Sequence, residues 1–95
     1  MPAIMLSHFK VADQAKWRQV FDSNVELRKA AGCLGTHVFH NAHDPNDVLV
    51  NFQWDAEENA TKFMSGPEAR AAMADAGLLG PPQMWFVTDG GRTPA

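Results

Sequence analysis

Sorted into apolar and polar positions, the chain alternates between two periods. Residues 3–9, AIMLSHF, are short, apolar and free of breakers, which fits a strand buried on at least one face. Ile4, Leu6 and His8 then point one way and Met5, Ser7 and Phe9 the other. In the next stretch, VADQAKWRQVFDSNVELRKAAG, the period lengthens. Trp17, Val20, Phe21, Leu27 and Ala31 stand at offsets 0, 3, 4, 10 and 14, one stripe of a 3.6-residue repeat, with Lys16, Glu26 and Lys29 off it. Asp13 can cap this helix by accepting a hydrogen bond from an amide of the first turn. Arg28, Lys29 and Gly32 suit its end: cations complement the dipole, and glycine turns left-handed freely.

Period two then returns. THVFHN, 36–41, reads as a strand, HDPND as a turn, and VLVNFQW, 48–54, as a second strand, so the two make a hairpin. Val48, Val50, Phe52 and Trp54 share one face of the second strand; Leu49, Asn51 and Gln53 share the other. Asp55 is positioned to cap a second helix, with Glu57 and Glu58 in its first turn and Ala60, Phe63 and Met64 on its apolar side. Ser65-Gly66-Pro67 interrupts it, and Pro67 opens a further helical segment over 67–76, closed by Gly77. GLLGPP connects to a last strand, QMWFVT, 83–88.

The order is strand, helix, strand, strand, helix, strand. It predicts an α+β, ferredoxin-like βαββαβ domain over residues 1–89, with a four-stranded antiparallel sheet and a flexible tail over 90–95. Helices cover only one side of such a sheet. The other side carries Leu49, Asn51 and Gln53, with either Met5, Ser7 and Phe9 or Ile4 and Leu6, and either Gln83, Trp85 and Val87 or Met84 and Phe86. No assignment makes it polar. A bare face of roughly 300–400 Å² is more apolar surface than a monomer usually leaves open, so a homodimer closed face to face is expected.

Composition narrows the field. Eleven acidic and eight basic residues give a formal net charge of -3, and the basic residues are scattered, which argues against a nucleic-acid partner. No apolar run approaches the length of a membrane span. MPAIMLSHFK lacks the charged and apolar regions of a secretory signal, and Cys33 is the lone cysteine, so a cytoplasmic location is expected.

The runs HFKVADQAKWRQVFD, VFHNAHDPNDVLVNFQWD and SGPEARAAMADAGLLGPPQMWF resemble the dimeric α+β barrel superfamily. Within it they are similar to the small antibiotic-biosynthesis-monooxygenase-like and cyclase-like proteins. The resemblance implies two sheets forming a barrel, with a cleft in each subunit between sheet and helices. It also implies a range of activities: cofactor-free quinone-forming oxygenation, haem degradation and polyketide cyclisation.

Three of the four histidines, His37, His40 and His43, lie three residues apart. On a strand that spacing sends His37 and His40 to opposite faces, so the trio reads as a polar strand edge and turn, and no metal is expected. The haem-degrading relatives use a histidine of the second helix as the iron ligand, and residues 55–76 contain none. Cofactor-free oxygenation asks for less: a dry aromatic pocket, a hydrogen-bond donor and a proton acceptor. His8, at the end of the first strand, is the candidate catalytic group, since imidazole titrates near neutral pH. Trp17, Phe21, His40, Asn51, Gln53, Trp54 and Trp85 are the candidate ligand-binding residues. The expected function is turnover of an apolar aromatic or polyketide-like molecule by a cofactor-independent monooxygenase or cyclase-like enzyme; the alternative is a non-catalytic ligand-binding or stress-linked dimer of the same fold.

Overall fold

The computed structural model describes residues 2–95. Its elements are β1 (Ala3–Lys10), α1 (Gln14–Ser23), α2 (Val25–Ala31), β2 (Cys33–Asn41), β3 (Asp44–Trp54), α3 (Glu57–Met64), α4 (Pro67–Asp75) and β4 (Gln83–Val87). The four strands form one antiparallel sheet in the order β2-β3-β1-β4, the ferredoxin-like α+β arrangement.

Strand alternation divides the sheet cleanly. Met5, Ser7 and Phe9 of β1 and Val48, Val50, Phe52 and Trp54 of β3 turn toward the helices and are buried. There they meet Trp17, Ala60 and Ala76 in one core. On the other face cross-strand rows can be followed from edge to edge. His37, Asn51, Leu6 and Trp85 form one, and Phe39, Leu49, His8 and Gln83 the next. Leu6, Phe39, Leu49 and Trp85 on this face are exposed, as the uncovered-face argument requires.

Asp13 caps α1 by accepting from the amides of Ala15 and Lys16, and Gly32 ends α2 at φ 113°, as their residue types lead one to expect. Between them the expected single helix is broken. Asn24 leaves helical geometry at φ -102° and ψ 13°, and its amide Nδ2 donates to the carbonyl of Val20 at 2.8 Å. Asparagine competes for backbone partners in just this way. The break shifts the helical phase: Leu27, expected on the apolar stripe, is exposed, and Arg28 is buried in its place.

Three local expectations change as well. β2 begins at Cys33, three residues early, and the hairpin turns at Ala42-His43, with Asp44-Pro45-Asn46-Asp47 already in β3. The strands shift register at His40/Asn41, and Asn46 in the bulge receives the amides of Val11 and Gln14. Asp55 does not cap α3. Ala56 occupies that position, and Asp55 accepts instead from the Asn59 amide at 2.9 Å.

Candidate functional site

Between the helix-facing side of the sheet and the helices around Asn24 lies a cavity of about 80 Å³, open to solvent on one side. One wall is Ser7, Phe9 and Phe52 of the sheet; the others come from α1 and α2 (Trp17, Phe21, Asn24, Arg28), α3 (Phe63, Met64) and α4 (Ala72, Met73). Aromatic rings line it in sequence. Trp17 lies 5.5 Å from Phe9 and stacks on Phe21 at 4.9 Å, and Phe21 meets Phe52 at 6.1 Å. These separations and tilts are the offset and inclined arrangements that the ring quadrupoles favour.

Only three of the lining side chains are polar: Ser7, Asn24 and Arg28. Ser7 is 3% exposed and Arg28 is 6% exposed. Arg28 donates through one terminal nitrogen to the Phe21 carbonyl at 2.7 Å and lays its guanidinium 3.8 Å over the Phe21 ring. No carboxylate pairs with it among the described residues: Asp22 is taken by Arg18, whose Nε donates to both of its oxygens. Burial pulls the guanidinium below its ordinary pKa, opposed by Cys33 and Asp22. Burial likewise pushes the neighbouring Cys33 thiol up, which makes it a poor nucleophile.

The candidate residues divide between the two faces of the sheet. Trp17 and Phe21 line the cavity. Trp54 is fully buried beneath α3, 5.5 Å from Phe63, and its Nε1 finds no acceptor among the described residues. His40 sits at the exposed edge of the helix side, its ring 6.3 Å from Trp17 and its Nδ1 2.9 Å from the Pro45 carbonyl. His8, Asn51, Gln53 and Trp85 all lie on the opposite face. His8 is therefore not on the cavity wall. Its Nε2 is 2.6 Å from Asp47 Oδ1 and its Nδ1 3.3 Å from Gln83 Oε1. The hydrogen bond to Asp47 raises the His8 pKa above its usual 6.5, helped by Gln83. Hydrogen bonds from Asn41 and then His8 hold Asp47 below its usual range.

The histidines of the hairpin diverge. His37 stacks on Phe39 at 4.1 Å on the open face while His40 faces the helices. Among the described residues no three metal-ligating side chains converge. Arg28 and Ser7 escaped sequence reasoning. Arg28 looked like a helix-ending surface cation, and only the break at Asn24 reveals its direction. For Ser7 the signal was available: a hydroxyl in the middle of an apolar strand face.

No curated protein matches the chain in sequence. Solved structures do match in shape. A protein from Bordetella bronchiseptica, named for antibiotic biosynthesis monooxygenase, aligns with a TM-score of 0.79 at 15% identity over 93% of this chain and 96% of that one. SnoaB, a cofactor-independent oxygenase from Streptomyces nogalater, aligns with a TM-score of 0.78 at 12% identity over 99% and 98%. Rv0793 from Mycobacterium tuberculosis aligns with a TM-score of 0.69 at 13% identity over 97% and 98%. At such identities the likeness is one of fold. The family model described as antibiotic biosynthesis monooxygenase matches residues 3–75, most of the chain, and by that match the chain belongs to the antibiotic biosynthesis monooxygenase family.

Proposed function

We propose that the protein is a small homodimeric pocket protein that acts on an apolar aromatic or polyketide-like molecule as a cofactor-independent monooxygenase or cyclase-like enzyme. The observation that carries this reading is the aromatic cavity between sheet and helices, walled by Phe9, Trp17, Phe21 and Phe52. Family membership and the shape shared with a cofactor-independent oxygenase support it. In such chemistry a phenolate is its own reductant. It gives electrons to dioxygen, one oxygen atom enters the ring to make a quinone, and the other leaves as water. The protein's share is to hold the ring, exclude water and stabilise negative charge. Here the rings and Met64 and Met73 would do the first two, and Arg28 the third.

A homodimer formed through the open sheet face belongs to the same reading, supported by exposed Leu6, Phe39, Leu49 and Trp85. So does a cytoplasmic location; among the described residues no helix is long and apolar enough to cross a membrane. A proton-transfer role for His8 requires a substrate that reaches the space between two stacked sheets, since the cavity lies behind His8.

One observation favours the non-catalytic alternative: the cavity wall holds no His, Asp or Glu to accept a proton. Oxygen uptake decides between the two. With 1-naphthol and no added metal or flavin, an oxygenase consumes one dioxygen per 1,4-naphthoquinone formed, with one water as the other product. Phe21→Trp, which fills the cavity, should abolish it. Binding of 1-naphthol without oxygen uptake points to the ligand-binding alternative. His8→Ala that leaves uptake unchanged removes His8 from the mechanism.

A further inference from the structure

We propose that the cavity between sheet and helices selects an anionic ligand: an aromatic molecule of one or two rings whose carboxylate or phenolate oxygen pairs with Arg28 and accepts a hydrogen bond from Ser7. This rests on the reading of the cavity as the ligand site and adds the charge of what it takes.

Three observations converge. The first is an unbalanced charge. A guanidinium carries five N–H donors, and among the described residues Arg28 has one hydrogen-bond acceptor, the Phe21 carbonyl. Among the described residues no carboxylate lies within ion-pair distance of it, and Asp22 acts on it only from farther away. A buried cation without a counter-charge in contact is costly, and an anion arriving in the cavity lowers that cost.

The second is Ser7. It stands between Met5 and Phe9 on the buried face of β1, 3% exposed and lining the cavity. It is the one hydroxyl on the wall, and a ligand oxygen in the cavity is an acceptor for it.

The third is the rest of the wall. Beyond Ser7, Arg28 and Asn24, whose Nδ2 is already donated to Val20, every lining side chain is apolar. Nothing on the wall is negative, so a cation or metal ion finds no partner, and a neutral hydrocarbon leaves Arg28 as unpaired as before. The rings of Trp17 and Phe21 supply flat surface for an aromatic body beside the charge. The cavity, of about 80 Å³, opens to solvent, so a flat ring can lie in it with the rest of the molecule at its mouth.

Arg28 also fastens α2 to the last turn of α1, and that is the purely structural explanation to be beaten. Titration calorimetry with 1-naphthoate and its neutral counterpart 1-naphthalenemethanol separates the two. The wild-type protein is expected to bind the carboxylate about tenfold or more tightly, as suits one charge-assisted contact. Arg28→Met, which keeps length and apolar contact, should erase that preference; Arg28→Lys should retain part of it, and Ser7→Ala should reduce it several-fold. Equal binding of the two probes by the wild type overturns the anion proposal and leaves the pocket reading standing. A preference that survives Arg28→Met overturns it too. Binding of neither probe up to millimolar concentration overturns both. If Arg28→Met does not fold, the wild-type comparison and Arg28→Lys carry the decision.

Discussion

His8 Nε2 stands 2.6 Å from Asp47 Oδ1 across the β1–β3 pair, on the sheet face turned away from the helices. The pair makes stability depend on pH in a definite window. His8 has a raised pKa in the folded state, so its contribution is complete below 6.5 and is lost as pH rises through the folded value. Asp47 has a lowered one, so its contribution is present above 3.8 and is lost as pH falls through the folded value. Wild type should therefore exceed Asp47→Asn by most between pH 3.8 and 6.5. Urea midpoints of both proteins from pH 3 to 9 check this, and a flat difference would show that the pair does not hold charge.

Trp54 is fully buried, yet its Nε1 has no acceptor among the described residues. Trp54→Ala should cost about 3–5 kcal/mol by opening a cavity beneath α3. Trp54→Phe removes the orphan donor along with part of the ring, so its cost should stay within about 1 kcal/mol. Chemical denaturation of the two variants reads the difference; equal losses would mean that the donor is satisfied in solution.

The row His37, Asn51, Leu6 and Trp85 runs across the open face next to the row holding Leu49 and Phe39. A charge in the middle of a twofold contact appears twice and is desolvated twice. Leu49→Asp is expected to convert the proposed dimer to a monomer with unchanged far-UV circular dichroism. Sedimentation at micromolar concentration gives the answer, and a wild-type monomer there would remove the dimer altogether.

Gly32 closes α2 at φ 113°, and a Cβ built there would collide with the Asp55 carboxylate. Gly32→Ala should lose more than about 1 kcal/mol. Asp55→Ala on that background relieves the collision but not the backbone strain, so it should restore only part of the loss. Thermal melts of the single and double variants separate the two causes.

Much of the fold was legible because it rests on short-range rules. The alternation in VLVNFQW puts Val50, Phe52 and Trp54 on one face whatever else the chain does, and Asp13 and Gly32 announce the ends of a helical run through their own chemistry. The site was legible only in part. Trp17 and Phe21 sit where their periodicity puts them, against the sheet and in the cavity wall. His8 alternates with Ser7, so whichever of them faces the helices excludes the other, and composition favoured the titratable residue while the fold placed the hydroxyl there.

The sequence by itself determined the element types, the antiparallel order of the strands and the surplus of apolar surface on the sheet, since each follows from side-chain period and residue propensity. The tertiary structure alone decided that Arg28 turns inward, that Ser7 shares a cavity with it and that His8 stands outside. Those outcomes depend on a helix broken at Asn24 and on which sheet face the helices cover. Both are settled when distant segments pack together and compete for the same buried space, which no local pattern encodes.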